Sequence, residues 1–238
     1  MTWKARMYGA FPEIERQWPT YKWVALTLTV RNCDLEDLPA TLDTMGRGFQ
    51  RLCRYKRFPG KGWVKALEVT HGKDGLCHPH LHVLLLVPSN YFTKGYVPQV
   101  EWAQLWKRAA QLDYEPVLHV QKVRGKRLAK DPRAAIRSAV AETVKYGVKP
   151  SDAEDTDWIF QLQDKVRGRR FVAAGGCLRP LLSPTAAADR LEQLEQDDHN
   201  PGGEVFDWRH DPDKPKYGRT QKPRRVVRFV RPDQDGGA

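Results

Sequence analysis

The sequence predicts an α+β fold in which helices flank a central, mainly antiparallel sheet. The length of 238 residues suits one main domain with an additional tail. Segments with strand-like alternation are interleaved with segments whose apolar residues recur at helical spacing. One pair of strand-like segments is joined by a short Gly-containing turn, which indicates an antiparallel hairpin. The expected order is strand, helix, strand, strand, helix, strand, helix, helix, strand.

The first strand and helix are predicted within residues 22–52. Residues 22–30 (KWVALTLTV) alternate at their end and are rich in β-branched side chains, which favours a strand. Asp34 and Asp37 suit the start of a helix. Apolar residues at helical spacing then continue to Leu52, and Gly60 follows the predicted helix.

The clearest local prediction is a β-hairpin. Residues 63–70 alternate as a strand, and residues 78–87 (HPHLHVLLLV) form the returning strand. Between them, Gly72-Lys73-Asp74-Gly75 has the composition of a tight turn.

The rest of the main domain alternates helices with short strands. Asp131 is positioned to cap a helix that begins at Pro132. The predicted elements are a helix at 100–112, a strand at 116–123, helices at 132–148 and 157–166, and a strand at 170–174.

Charge and composition restrict the class of protein. The net charge of +11 and pI near 9.6 favour a polyanionic partner, nucleic acid above all. No apolar run reaches the length of a membrane span, and the first residues lack the pattern of a signal peptide, so we expect a cytoplasmic protein without membrane association. The four cysteines contain no C-x-x-C pair, which argues against a zinc ribbon or a disulfide framework.

The charge distribution predicts two regions, a catalytic domain at residues 1–183 and a tail at 184–238. Residues 184–213 carry 9 acids and 2 bases, whereas residues 214–231 carry 8 bases and no acid. A short helix is expected at 186–196, followed by a break at Asn200-Pro201-Gly202-Gly203. We expect disorder beyond that break.

Three histidines point to a metal site. His78, His80 and His82 occupy every second position of a predicted strand, so their side chains should project from one face. Glu68 lies on the partner strand of the hairpin and supplies a candidate third ligand. We expect His80, His82 and Glu68 to bind Mn²⁺ or Mg²⁺, with His78 a possible further ligand. Zn²⁺, Ni²⁺ and Co²⁺ would also suit these ligands, and the alternative interpretation is a set of surface histidines.

Glu142 and Tyr146 are the second candidate pair. They lie four residues apart on the helix predicted at 132–148, so they would share one face. Lys145 and Lys149 flank them and would attract a phosphodiester. A tyrosine can attack phosphorus to form a covalent intermediate, and a carboxylate can activate the attacking group of a second step. Without the histidines, an ordinary amphipathic helix would explain the pair equally well.

The chain resembles the HUH endonuclease superfamily, in particular the replication initiators of rolling-circle plasmids. The resemblance covers roughly residues 20–180 and depends on three motifs. These are Ala25-Leu26-Thr27-Leu28-Thr29, His78-Pro79-His80-Leu81-His82-Val83-Leu84-Leu85 and Glu142-Thr143-Val144-Lys145-Tyr146. The resemblance implies a ferredoxin/RRM-like sheet, His80 and His82 as ligands of a divalent ion, and Tyr146 as the nucleophile. It also implies that Glu142 supports hydrolytic termination.

The implied reaction cleaves one strand at an origin hairpin, leaving a 5′-phosphotyrosine and a free 3′-hydroxyl that primes a host polymerase. The expected partners are therefore single-stranded or hairpin origin DNA, a host helicase and a host polymerase. Basic residues before the Glu142–Tyr146 segment are candidates for contacts with the DNA backbone. They are Lys122, Arg124, Lys126, Arg127, Lys130, Arg133 and Arg137.

Three alternatives stay open at this stage. A transposase or conjugative relaxase of the same superfamily would share the chemistry and use a different DNA substrate. A non-catalytic basic repressor would bind DNA without a metal and without Tyr146. A zinc-dependent hydrolase of small esters would leave the positive charge unexplained.

Overall fold

The computed structural model describes residues 2–72, 74–123, 133–144, 156–197, 206–209 and 216–219. Its helices and strands follow the predicted order, with additions at the N-terminus and after the last predicted strand. The helices are α1 (Trp3–Gln17), α2 (Leu38–Leu52), α3 (Gln99–Ala110), α4 (Ala134–Thr143), α5 (Thr156–Lys165), α6 (Leu178–Leu181) and α7 (Pro184–Asp197). The strands are β1 (Lys22–Thr29), β2 (Gly62–His71), β3 (Cys77–Val87), β4 (Leu118–Lys122), β5 (Val172–Gly176), β6 (Phe206–Arg209) and β7 (Lys216–Arg219).

The central sheet has five strands in the order β4-β1-β3-β2-β5. Each neighbouring pair is antiparallel, and β2 and β3 form the predicted hairpin. The α+β class with a mainly antiparallel sheet is therefore confirmed. The register places Glu68 directly opposite His80, so the two candidate ligands are cross-strand neighbours.

Helices cover both faces of this sheet. Because side chains alternate along a strand, each strand contributes to two separate apolar clusters. Leu81, Val83 and Leu85 of β3 pack in a cluster with α2, α3 and α5. Leu84 and Leu86 belong to the other cluster, with α1, α4 and α6.

Helix α1 was not predicted. The side-chain oxygen of Thr2 accepts a hydrogen bond from the Ala5 amide and caps the helix. Met7, Phe11 and Ile14 are buried on its inner face. Their three- and four-residue spacing is helical, but Pro12 inside the segment obscures the pattern.

Helix α4 is shorter than predicted. It ends at Thr143, and Val144 has φ −106° and ψ 24°, outside the helical range. Ile136 and Val140, four residues apart on this helix, are buried. The predicted continuation to Val148 is therefore wrong at Val144, and residues 145–150 lie outside the described part of the chain.

The chain divides into two compact units, Met1–Arg190 and Leu191–Ala238. Helix α7 confirms the helix expected at 186–196. In the second unit, β6 and β7 pair antiparallel, so the expectation of disorder past residue 203 is wrong for these two strands. The division into residues 1–183 and 184–238 stays a prediction. No helix of the described residues is long and apolar enough to cross a membrane.

Candidate functional site

The three histidines of β3 lie on one face of the sheet, as their spacing predicted. His78, His80 and His82 are half-buried, while Pro79 and Leu81 between them are buried. This is the face on which α1, α4 and α6 pack, because it continues into Leu84 of their cluster. The helix that carries Glu142 therefore covers the sheet face that carries the histidines.

Glu68 joins the histidines from β2. Its side chain is buried, and its Oε2 atom lies 2.6 Å from Nε2 of His82. The ring centroids of His80 and His82 are 6.2 Å apart. The structure thus brings the predicted Glu68 and His82 into contact and places His80 beside both.

Thr27 belongs to the first of the three motifs quoted above, but the sequence assigned it no individual role at this site. It pairs with His82 across β1 and β3, and its Oγ1 atom lies 3.4 Å from Nδ1 of His82. Thr27 and Glu68 therefore approach the two ring nitrogens of one histidine from opposite sides. His119 pairs with Thr27 on β4, which places an exposed fourth histidine in the same row across the sheet. Alternation along 25–29 indicated that Thr27 shares a face with Thr29, but only the register of β1 on β3 shows its neighbour.

His78 has a different neighbour. Its Nε2 atom lies 3.2 Å from Oδ1 of Asp74 in the turn of the hairpin. This hydrogen bond, together with one from the Leu76 amide, holds the pKa of Asp74 below its usual value. His78 therefore contacts the turn, whereas His82 contacts Glu68.

The chemistry of this donor set fits a divalent cation. A carboxylate buried beside an imidazole nitrogen offers the mixed oxygen and nitrogen ligation that such ions accept. Two ligand atoms of one ion are separated by about 3 Å, since each bond is about 2.1 Å. The His82–Glu68 pair would thus have to open slightly to admit an ion. Among the described residues, no group of three His, Cys, Asp or Glu side chains already forms a metal-binding cluster.

The structure describes only part of the second predicted pair. Glu142 lies in the last turn of α4 and is exposed to solvent. Ile136 and Val140 of this helix pack in the cluster with Leu84 and Val64, which anchors α4 on the histidine-bearing face. Tyr146, Lys145 and Lys149 lie outside the described residues.

Three of the predicted DNA-contacting residues make contacts within the protein. Lys122 Nζ lies 4.1 Å from the ring centroid of Phe92. Arg133 forms a salt bridge of 2.6 Å with Glu15 of α1, and Arg137 lies over the ring of Tyr8. Contacts with α1 therefore occupy part of the surface that Arg133 and Arg137 were expected to present to DNA. The other four, Arg124, Lys126, Arg127 and Lys130, lie outside the described residues.

Fold and site together define an α+β protein whose antiparallel sheet displays histidine and glutamate side chains beside a covering helix. The sequence matches the family described as "Replication protein" over residues 1–217. The chain belongs to this replication protein family.

Curated relatives agree with the family match. A "Replication protein" of Staphylococcus aureus is 38% identical over 181 residues, which cover 71% of this chain and 76% of the relative. A "Protein rep" of Bacillus amyloliquefaciens is 36% identical over 214 residues, covering 79% of this chain and 63% of the relative. A "Protein rep" of Lactiplantibacillus plantarum is 36% identical over 193 residues, 76% of this chain and 59% of the relative. The chain thus spans less than two thirds of the length of the last two relatives. No solved structure matches it.

Proposed function

We propose that this protein initiates rolling-circle replication of a plasmid by nicking one strand of origin DNA and later rejoining it. Membership of the replication protein family supports a role at an origin. The names of the relatives favour replication over the transposase and relaxase alternatives. The net charge of +11 suits a DNA partner.

One observation carries the proposed chemistry. The buried Glu68 carboxylate contacts His82, and His80 lies opposite Glu68 on the neighbouring strand. Burying a carboxylate costs free energy unless a partner stabilises it, so a sheet face that gathers these groups is typical of a functional site. A repressor that used the histidines only structurally would gain little from this arrangement.

His80, His82 and Glu68 would hold a divalent cation, Mn²⁺ or Mg²⁺. When bound, such an ion polarises a phosphoryl oxygen and stabilises the charge that develops during displacement at phosphorus. Thr27 would help to keep the His82 ring in place, because its Oγ1 atom lies 3.4 Å from Nδ1 of His82.

Tyr146 would be the nucleophile. Its phenolic oxygen forms a bond to phosphorus while the bond from phosphorus to the 3′ oxygen breaks. The phenol loses its proton and the departing oxygen gains one, which leaves a 5′-phosphotyrosine and a free 3′-hydroxyl. Lys145 and Lys149 flank Tyr146 in sequence and would attract the phosphodiester.

Glu142 would act in the second step. Its carboxylate accepts a proton from a water molecule or a DNA hydroxyl that attacks the phosphotyrosine. The bond from phosphorus to Tyr146 then breaks and the phenol regains its proton. The exposed position of Glu142 in the last turn of α4 supports this role, because solvent reaches it.

A covalent adduct tests the proposal. Wild type, Tyr146→Phe and the control Tyr96→Phe are mixed with single-stranded plasmid-origin oligonucleotides and Mn²⁺, with and without EDTA. We expect an SDS-resistant protein-DNA adduct for wild type and Tyr96→Phe, abolished by EDTA or by Tyr146→Phe. Tight DNA binding without any adduct would instead support the repressor alternative.

A further inference from the structure

A basic groove lies on the sheet face opposite the histidines. One cavity of about 620 Å³ lies between α2 and the edge of the sheet formed by β2 and β5, and another of about 310 Å³ adjoins it. Gln50, Lys65 and Arg170 line both cavities, so the two adjoin, and together they are called the basic groove. Lys65 faces away from Glu68, since these residues are three apart on β2 and their side chains point to opposite faces.

The groove carries a strong excess of positive charge. Among the described residues that line it, the one carboxylate is Asp43, which is bound by Arg169; Arg169 also donates to the Pro39 carbonyl. Five other cations line it and have no carboxylate within salt-bridge distance among the described residues. They are Arg47, Arg54, Lys65, Arg170 and Arg179. Charges of one sign in a concave surface concentrate a ligand of the opposite sign.

Lys65 is the most informative of these cations. It is half-buried on β2, and its Nζ atom lies 5.2 Å from the ring centroid of Phe49. Burial lowers the pKa of its ammonium group below the usual value. An ammonium group in this position gains stabilisation from an incoming anion, since the described part of the fold supplies no carboxylate to pair with it.

An aromatic ring and a run of small residues also line the groove. Ala173, Ala174, Gly175 and Gly176 of β5 line it with little side-chain volume. A Cβ atom on Gly175 would lie 2.1 Å from the Trp63 ring, so glycine is required for that ring to occupy its place. Trp63 lines the cavity and packs edge-on against Phe49. An aromatic ring among unpaired cations is typical of sites that hold a nucleic acid strand by stacking and charge.

We propose that the groove formed by α2, β2 and β5 binds the phosphate backbone of single-stranded DNA at a second site, separate from the histidine face. Arg47, Arg54, Arg170 and Arg179 contact phosphates, and Lys65 binds the strand from the groove floor. The inference rests on the proposed role in handling DNA. Because the two sites lie on opposite faces of one sheet, a single strand bound here leaves the nicking site accessible to the origin.

The test measures binding of fluorescent oligothymidine to the full chain by anisotropy, in EDTA and over a range of salt concentrations. EDTA removes the divalent ion, so the proposed metal-dependent phosphotyrosine does not form, and failure of the nicking proposal leaves this assay unaffected. We expect Arg54→Gln/Arg170→Gln to bind about tenfold more weakly and to reduce the salt slope by about 0.7 for each phosphate that is no longer neutralised. The control Arg16→Gln/Arg31→Gln removes the same charge outside the groove and should bind as wild type does.

Two further measurements test the same proposal. Lys65→Met preserves side-chain length and removes a half-buried charge that no carboxylate of the described residues pairs with, so it should weaken binding without lowering the melting temperature. Polyglutamate of equal charge should compete poorly with DNA. The proposal is wrong if the groove and control variants bind alike, if Lys65→Met binds as wild type does, or if polyglutamate displaces the DNA equally well.

Discussion

At the scale of single residues, the ring of His82 on β3 lies between side chains from the two neighbouring strands, β1 and β2. Thr27 approaches Nδ1 from β1 and Glu68 approaches Nε2 from β2. The residues beside a ligating histidine set its tautomer and ring orientation. Glu68 was predicted from its place on the hairpin partner strand, whereas Thr27 depends on a register that no local pattern reveals.

We predict that Thr27→Val lowers affinity for Mn²⁺ by about tenfold, because valine keeps the shape of threonine and loses the hydroxyl near His82. Isothermal titration calorimetry with Mn²⁺ measures the effect. Thr44→Val serves as the matched control, since Thr44 donates to the Ala40 carbonyl within α2. Equal affinities for wild type and Thr27→Val would show that Thr27 does not orient His82.

The cysteines should be poorly reactive in the folded protein. Burial raises the pKa of Cys53 to about 12. Burial, with a smaller contribution from Cys33 nearby, raises the pKa of Cys77 to about 11. The thiolate is the reactive form, so both thiols are almost wholly protonated at pH 8.

We therefore predict that iodoacetamide labels Cys53 and Cys77 at least about tenfold more slowly than free cysteine at pH 8. Mass spectrometry of the folded chain gives the rates, and labelling in urea should restore the ordinary rate. Rapid labelling of the folded chain would contradict the burial of these thiols.

At the scale of elements, α2 and α3 pack closely at one glycine. A Cβ atom on Gly48 would lie 2.9 Å from the Cα atom of Ala110 in α3. Gly46 lies on the same helix with nothing within 4 Å of its Cβ position. The helix pattern predicted α2 from Leu38 to Leu52, but the helix that it contacts is decided by the tertiary fold.

We predict that Gly48→Ala destabilises the protein by about 1–3 kcal/mol, since the backbone of α3 must shift. Gly46→Ala should stabilise it by about 0.5–1 kcal/mol, because alanine favours a helix over glycine. Urea denaturation of both variants measures the free energies of unfolding. A neutral Gly48→Ala would show that the two helices are less closely packed.

The last turn of α1 is stabilised by a carboxylate. Hydrogen bonds donated by Arg16, and to a smaller extent by Gln17, hold the pKa of Glu13 at about 2. Because the folded pKa is depressed, this stabilisation is present above about pH 4.5 and is lost as the pH falls toward 2.

We predict that Glu13 is still ionised at pH 3 and that Arg16→Gln raises its pKa toward the ordinary value. The carboxyl carbon shift of Glu13 in an NMR titration reports both. Arg167→Gln, which removes an arginine paired with Asp164 elsewhere, should leave the titration unchanged. A Glu13 midpoint near pH 4.5 in wild type would contradict the contact.

At the scale of the whole molecule, charge is divided unevenly along the chain. Residues 1–183 carry 30 Lys and Arg against 18 Asp and Glu, and residues 214–231 add 8 bases without an acid. Each cation that neutralises a phosphate releases a counterion, so such segments steepen the salt dependence of DNA binding.

We predict that deletion of residues 214–238 makes the dependence of DNA affinity on salt shallower. Fluorescence anisotropy with a non-origin oligonucleotide at several salt concentrations measures the slope. Deletion of residues 232–238, which contain 2 acids and no base, is the control and should not reduce the slope. An unchanged slope after the longer deletion would show that the basic segment does not contact DNA.

The sequence by itself determined the order of the elements from β1 to β5, the hairpin and the face shared by the histidines. Alternation, helical spacing and turn composition act over a few residues, so they are visible without the fold. The same local patterns missed α1, where Pro12 interrupts the pattern, and extended α4 past Val144. They also missed the pairing of β6 and β7.

Only the tertiary structure decided which groups meet. Strand register places Thr27 and Glu68 on either side of His82, and the hairpin turn places Asp74 against His78. Packing of α2 against the β2–β5 edge gathers Lys65, Arg54 and Arg170, which are far apart in sequence. These contacts depend on the joint burial of distant segments, and a pattern within one segment carries no information about its neighbours in space.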